Sequence, residues 1–278
     1  MTAEQNNIYG ILYLCATPIG NLEDMTPRAL RMLQEADLIA AEDTRHTLQL
    51  LNHFNIKGRL VRYDEHSKDK QGEYLLGQLL EGKNVALVSD AGFPGIADPG
   101  EALAHDAIAH GIRVVPVPGA NAALCALIAS GLPTNPFFFG GFLPKSKRNR
   151  REQLEQWQHI PATIILYEAP HRIVEVLKDI LSAWGDRPLA AARELTKLHE
   201  EFYRGTVSGC LEWLEANSPR GEFCLVLGAG DGAFVAAEEE LEPLDEVRKL
   251  MAEGVDKKAA LAQVAKKRKS PNGSYIIN

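Results

Sequence analysis

Short apolar runs that end in Gly/Pro-rich turns, with helical patterns between them, constrain this chain more than any other feature. Ile8–Cys15 (IYGILYLC), Asn84–Ser89 (NVALVS) and Arg113–Val117 (RVVPV) read as buried strands. Between them, Arg28–Glu35 and Tyr74–Leu80 carry the i, i+3, i+4 apolar spacing of amphipathic helices. Strand–helix–strand alternation with short loops implies a largely parallel sheet with helices on its faces. The pattern resets after Pro118-Gly119, with new strands expected at Phe137–Phe142, Ala162–Tyr167, Leu189–Arg193 and Phe223–Leu227 and a helix at Ile173–Leu181. The expected class is therefore α/β with two α/β domains, 1–119 and 120–230, and a third segment, 231–278.

That last segment differs in composition. Glu238, Glu239, Glu240 and Glu242 make an acidic linker, and a helical stretch, Leu244–Ala252, runs to Gly254, a suitable C-cap. Asp256 can cap a second helix through Lys257–Lys267, which ends in the basic run Lys266, Lys267, Arg268 and Lys269. Two short helices joined at a glycine suggest a small helix-turn-helix-like extension, with a solvated helical hairpin as the plainer reading.

Charge and cysteine usage narrow the function. A net charge of −7 argues against a general nucleic-acid-coating protein but leaves room for a local basic patch. The four cysteines, Cys15, Cys125, Cys210 and Cys224, are far apart, with no C-x-x-C pair and no metal-ligand spacing, so no metal site is expected. They read as small buried apolar residues in a reduced, cytoplasmic protein. Apolar runs such as Ala122–Ile128 are too short to cross a bilayer, and no signal peptide is indicated.

Four turns carry the functional signal. They are 16–21 (ATPIGN), 89–100 (SDAGFPGIADPG), 117–122 (VPGANA) and 167–172 (YEAPHR), each after an apolar strand, where open α/β sheets place ligands. A G-x-G-x-x-G after the first strand, a P-loop, a G-x-S-x-G elbow and an H-E-x-x-H pair are all missing. The turns carry few cations, so they suit a neutral or zwitterionic ligand gripped by backbone groups and flanked by apolar side chains. Asp90 can bond such a ligand's amine or hydroxyl, or simply its own turn.

The ordered motifs ATPIGNLEDMTPRAL (16–30), AEDTRHT (41–47), SDAGFPGIADPG (89–100), PVPGANAAL (116–124), GGFLPK (140–145) and YEAPHR (167–172) resemble the ribosomal RNA small subunit methyltransferase I family. That family belongs to the tetrapyrrole-methylase-like group, which uses S-adenosyl-L-methionine in a cleft between two α/β domains. The resemblance implies methyl transfer to the ribose 2′-hydroxyl of a decoding-centre cytidine in 16S rRNA, with the 30S subunit as partner and a homodimeric state. By position it implies cofactor contacts at Pro18, Val88, Ser89, Asp90, Phe93, Asn121, Ala122, Tyr167, Glu168, Glu194 and Leu195. Where the wider group has G-P-G-D in its first loop and G-D-P-x-x-Y in its second, this chain has Thr17-Pro18-Ile19-Gly20 and Ser89-Asp90-Ala91-Gly92-Phe93-Pro94, which favours the RNA branch.

A methyl donor of this kind is already activated, so alignment of the acceptor oxygen is the main task, worth roughly 7–11 kcal/mol in favourable systems. A ribose hydroxyl is a poor nucleophile, so a base or a cation near the cleft should help. Glu42, Asp43 and Arg45 follow a strand end and are the candidates, with an acidic helix cap as the structural alternative. Glu168, His171, Arg172, Lys197, His199 and Glu200 are further candidates, and the sequence leaves the base open. Lys145, Lys147, Arg148, Arg150 and Arg151 form a cluster expected to grip RNA phosphates. Two rival readings remain: a tetrapyrrole methyltransferase, and a non-catalytic ribosome-assembly factor that binds RNA through the same cluster.

Overall fold

The computed structural model describes residues 9–96, 98, 100–230, 251 and 256–259. The chain divides after Gly230, and the first unit holds every strand described below.

Five strands and their crossovers come first: β1 (Ile11–Cys15), α1 (Pro27–Glu35), β2 (Leu38–Ala41), α2 (Thr44–His53), β3 (Leu60–Arg62), α3 (Lys68–Leu80), β4 (Val85–Val88), α4 (Gly100–Ala109) and β5 (Arg113–Val117). They form a sheet of order β3-β2-β4-β1-β5, parallel at every pairing, as the alternation implies. β2 and β4 are buried along their whole length, which is why they read as unbroken apolar runs rather than alternating ones. Helix ends are set by local chemistry. Thr26 accepts from the Ala29 N–H ahead of Pro27 in α1, and Asp43 accepts from the Arg45 N–H to start α2.

The second half contains α5 (Ala122–Ala129), β6 (Phe137–Phe142), α6 (Lys147–Trp157), β7 (Thr163–Glu168), α7 (Ile173–Trp184), β8 (Pro188–Arg193), β9 (Glu201–Thr206), α8 (Val207–Ala216) and β10 (Phe223–Leu227). Its sheet has the order β6-β7-β10-β8-β9 and is mixed, not largely parallel. Only β6 and β7 pair parallel; β10 is antiparallel to both β7 and β8, and β8 to β9. No helix separates β8 from β9, so the chain turns back on itself there. One apolar cluster, including Leu154, Val176, Ile180 and Leu225, packs α6, α7 and α8 on one face. The other face is covered by α5 through Ala123, Ala126 and Leu127.

The strand directions fix where a ligand can bind. All five strands of the first sheet end at one edge. In the second sheet, β6, β7 and β8 share a direction opposite to β10, so their C-terminal ends lie beside the start of β10.

Of the C-terminal extension, residues 257–259 are helical and Asp256 Oδ2 accepts from the Lys258 N–H at 3.1 Å, as a cap does. Met251 of the expected first helix is helical; the rest of that helix with its Gly254 cap, the acidic linker and the basic run 266–269 lie outside the described residues. No helix among the described residues is long and apolar enough to cross a membrane.

Candidate active site

Strand ends from both sheets surround a cavity of about 510 Å³. Its walls come from the turns after β1, β2, β4 and β5 on one side, and from the ends of β6, β7 and β8 and the start of β10 on the other. Ile19, Phe93, Phe142, Tyr167 and Leu195 give it apolar surface, and Glu42, Asp90, Asp98 and Glu168 give it acid.

The turns are braced by their own polar groups. Thr17 and Gly92 exchange two backbone hydrogen bonds, 2.9 and 3.1 Å, which ties the first turn to the second. The Ser89 hydroxyl donates to Gly92 O at 3.1 Å, and Thr17 Oγ1 donates to Ser89 O at 3.1 Å. Asp90 Oδ1 accepts from the Asp43 N–H at 3.1 Å, joining the β4 turn to the start of α2. Asp98 Oδ1 accepts from the Gly95 and Gly100 N–H groups, 2.7 and 2.8 Å. The Asn121 side chain caps α5 by accepting from Leu124 N–H at 2.8 Å. Tyr167 Oη accepts from the Ala123 N–H at 3.1 Å, and burial pushes its pKa up to about 12, so the ring is a neutral wall pinned to α5.

Two carboxylates stand out. Glu42 is pushed above the usual carboxylate range, first by burial and then by the charges of Asp90, Asp98 and Asp64. Glu168 is 2% exposed and also raised, chiefly by burial. Its Oε1 accepts from the Ala169 N–H at 2.8 Å and lies 3.5 Å from Arg172 Nε, while Oε2 has no hydrogen-bond partner. An ionised oxygen in that position is costly unless a donor reaches it.

The segment after β8 is bent unusually. Glu194 and Thr196 both hold positive φ, 52° and 65°, which is a genuine outlier for a β-branched threonine. This bend carries Lys197 into the cavity wall, where Glu194 Oε1 accepts its ammonium at 2.9 Å. A Cβ on Gly20 would overlap the Lys197 side chain, which is why the first turn needs glycine there.

The cavity thus gathers Ser89, Asp90, Phe93, Asn121, Ala122, Tyr167, Glu168 and Leu195 from the expected cofactor contacts, with Glu42 from the expected catalytic group. Three expected contacts fall outside its lining. Val88 is 2% exposed, and its side chain packs into the apolar cluster on one face of the first sheet with Ala41, Ala86 and Val117. Pro18 lines a neighbouring cavity of about 550 Å³, and Glu194 spends its carboxylate on Lys197 and the Glu222 N–H. Asp43 and Arg45 also part from Glu42: Asp43 is the α2 cap, held below its usual pKa by the Arg45 backbone and side chain, and the Arg45 side chain is 90% exposed. Of the further candidates, His171 and Lys197 line the cavity, whereas His199 and Glu200 do not.

The phosphate-gripping cluster is divided too. Lys145, Lys147 and Arg148 are exposed, but the Arg150 side chain is 1% exposed and cannot meet RNA. It bonds Asp179 through Nε and Nη2 (2.8 and 2.7 Å) and Glu175 through Nη2 (2.6 Å). Arg151, about half exposed, leans on Asp179 at 3.3 Å. Among cavity residues not singled out in the sequence, Ile19, Asp98 and Phe142 lie inside the motifs 16–21, 89–100 and 140–145, whereas Ala192 and Cys224 carry no motif and only their position next to strand ends marks them. Among the described residues, no group of three His, Cys, Asp or Glu is placed to hold a metal ion.

Comparison with known proteins agrees with this layout. Residues 11–210 match the model of the Tetrapyrrole (Corrin/Porphyrin) Methylases. A Ribosomal RNA small subunit methyltransferase I from Halalkalibacterium halodurans is 51% identical, covering 96% of this chain and 94% of that relative. The proteins of the same name from Bacillus subtilis and Escherichia coli O157:H7 are 47% and 46% identical, over 94% and 88% of this chain and 91% and 85% of theirs. Among solved structures, the methyltransferase CobJ superposes with a TM-score of 0.60 at 20% identity, over 79% of this chain and 94% of that one. Uroporphyrin-III C-methyl transferase from Thermus thermophilus, complexed with S-adenyl homocysteine, gives 0.54 at 23%, over 79% and 97%. At those identities the two structures speak for the fold alone.

Proposed function

The chain belongs to the ribosomal RNA small subunit methyltransferase I family, within the tetrapyrrole methylases, and from that membership we propose that it methylates the ribose 2′-hydroxyl of a decoding-centre cytidine in 16S rRNA, with S-adenosyl-L-methionine as donor. The observation that carries the cofactor assignment is the buried, unpartnered Glu168 Oε2 on a residue of the cavity wall, an acceptor that the ammonium or a ribose hydroxyl of a bound ligand would satisfy. Around it, Ser89, Asp90, Asn121 and Ala122 offer polar and backbone groups, and Phe93, Tyr167 and Leu195 offer surface for an adenine. The residues present therefore fit the cofactor, which supplies an activated methyl group when bound. An acid-lined cavity also favours a ligand carrying positive charge.

Glu42 is the group best suited to take the acceptor's proton. Its raised pKa brings the carboxylate closer to that of an effective base at neutral pH, and it lines the cavity. With the cofactor bound and supplying the methyl group, a Glu42 carboxylate oxygen would accept the proton that the acceptor hydroxyl gives up as it is methylated. Lys145, Lys147, Arg148 and Arg151, just beyond Phe142 of the cavity wall, would hold phosphates outside. A 30S acceptor, a homodimer and a cytoplasmic location complete the proposal.

The test is transfer from labelled S-adenosylmethionine to 30S subunits from cells lacking the protein, with ribose methylation mapped. Label on one small-subunit ribose is the expected result. Cofactor binding without label on any RNA would turn attention to tetrapyrrole acceptors, and failure to bind cofactor would favour an assembly factor.

A further inference from the structure

The loop between β6 and α6 is held by a device that the methyl transfer itself does not call for. Three consecutive carbonyls, those of Leu143, Pro144 and Lys145, are met by arginine guanidinium groups instead of by a sheet or helix partner. Arg172 Nη2 donates to Leu143 O at 2.9 Å and Pro144 O at 3.2 Å. Arg150 Nη1 donates to Pro144 O at 3.5 Å and Lys145 O at 3.3 Å. Arg150 belongs to α6 itself, so its bonds fasten the loop to its own helix. Arg172 comes from the start of α7, and its Nε lies 3.5 Å from Glu168 Oε1 at the cavity. The Arg172 side chain is 15% exposed, too covered to be a surface cation waiting for phosphate. It joins the cavity carboxylate to the loop that leads into Lys145, Lys147 and Arg148.

We propose that Arg172 is a positioning residue for the RNA acceptor, setting the place of the Lys145–Arg148 cations relative to Glu168 and the cavity. The inference rests on the RNA methyltransferase reading above. Its physical basis is that phosphate contacts fix the register and orientation of a nucleic acid on a protein, so cations held out of place bind the acceptor less well. Guanidinium suits the task because a rigid planar fork serves several acceptors at fixed angles, whereas an ammonium on a flexible stem is a point charge. Arg172→Lys therefore keeps a cation beside Glu168 and loses the defined span to the two carbonyls.

The experiment is a double-mutant cycle between Arg172→Lys and the pair Lys147→Ala/Arg148→Ala. It measures S-adenosylhomocysteine affinity by calorimetry, KM and kcat on 30S subunits, and thermal unfolding. Arg172→Lys is expected to leave S-adenosylhomocysteine affinity within about twofold and to raise the 30S KM roughly tenfold. In the Lys147→Ala/Arg148→Ala background it should add little, because the groups it positions are gone. An unchanged 30S KM, or an effect of equal size in both backgrounds, overturns the proposal while leaving the methyltransferase reading intact. A wild-type protein that binds S-adenosylhomocysteine but labels no RNA overturns that reading and the proposal together.

Discussion

Replacing Arg150 with methionine separates a structural arginine from an RNA-binding one, and the structure sets the size of the effect. The side chains of Arg150 and Asp179 are 1% and 5% exposed, so the substitution leaves a buried carboxylate behind. Its remaining cation is Arg151 Nε at 3.3 Å, on a side chain 53% exposed and therefore weakened by solvent. Removing one partner of a buried pair costs about 3–5 kcal/mol, because the survivor keeps its desolvation penalty. The lost bond to Glu175, whose side chain is 57% exposed, adds less than about 1 kcal/mol. Such a loss is a large part of a stability on the order of 5–15 kcal/mol. At about 2–4 °C per kcal/mol for a unit of this size, the midpoint should fall by roughly 6–20 °C. Thermal unfolding followed by tryptophan fluorescence measures it, and Arg150→Met combined with Asp179→Leu should recover most of the loss, since neither charge is then stranded. A loss under about 1 kcal/mol, together with weakened RNA binding, would refute the reasoning and restore Arg150 to the phosphate-gripping set.

Two further substitutions probe the cavity. Glu42→Gln should lower kcat by roughly 10²–10⁴-fold if the carboxylate takes the acceptor's proton, and unchanged turnover at neutral pH would remove Glu42 from the chemistry. The same change bears on stability. The Glu42 carboxyl is raised in the fold, so its contribution is full below the ordinary glutamate pKa and lost as pH rises through the raised value. Glu42→Gln should therefore unfold at a higher temperature than wild type at about pH 8, with the difference vanishing toward about pH 4, as followed by scanning calorimetry. Glu168→Gln keeps the shape but not the charge, and should weaken S-adenosylmethionine binding by roughly tenfold or more in titration calorimetry; equal affinity would show that no ligand donor meets Oε2.

Much of the fold was legible because central strands bury both faces. Arg113–Val117, Phe137–Phe142 and Phe223–Leu227 have the expected bounds, and β1, β4, β7 and β8 differ by one to three residues. The edge strand β9, EFYRGT, is half polar and follows the bent 194–200 segment, so nothing local announces it. Nor does any local signal say that β10 inserts between β7 and β8; that is a property of packing across the sheet. The misplaced Arg150 had a readable cue. It shares a helical face with Leu154 and Trp157, at i+4 and i+7, and Asp179 stands between Val176 and Ile180 in the apolar stripe of α7. A carboxylate in such a stripe needs a cation, and an arginine facing a core needs an anion. Counting charges along 145–151 hid this, because density in sequence carries no information about which side of the helix each charge occupies.

Charge is sorted by depth in the cleft, and that sorting reconciles an acidic chain with a polyanionic acceptor. Glu42, Asp90, Asp98 and Glu168 line the cavity, where the wall's Lys197 is already paired with Glu194 and any charge acts through a lower effective dielectric. Lys145, Lys147 and Arg148 lie outside it, on a loop and helix start that Arg150 and Arg172 hold in place. On the proposed function, phosphates stay at the rim, because entering the cavity sets them against carboxylates at close range. A ribose, which carries no charge, meets no such barrier, and the sulfonium of the donor is favoured there. At physiological salt the screening length is about 8 Å, so rim cations attract RNA locally while the −7 net charge of the chain is felt weakly at the binding face. The same sorting makes a macrocycle bearing many carboxylates a poor fit, because its anions would have to enter the acidic interior where a ribose need not.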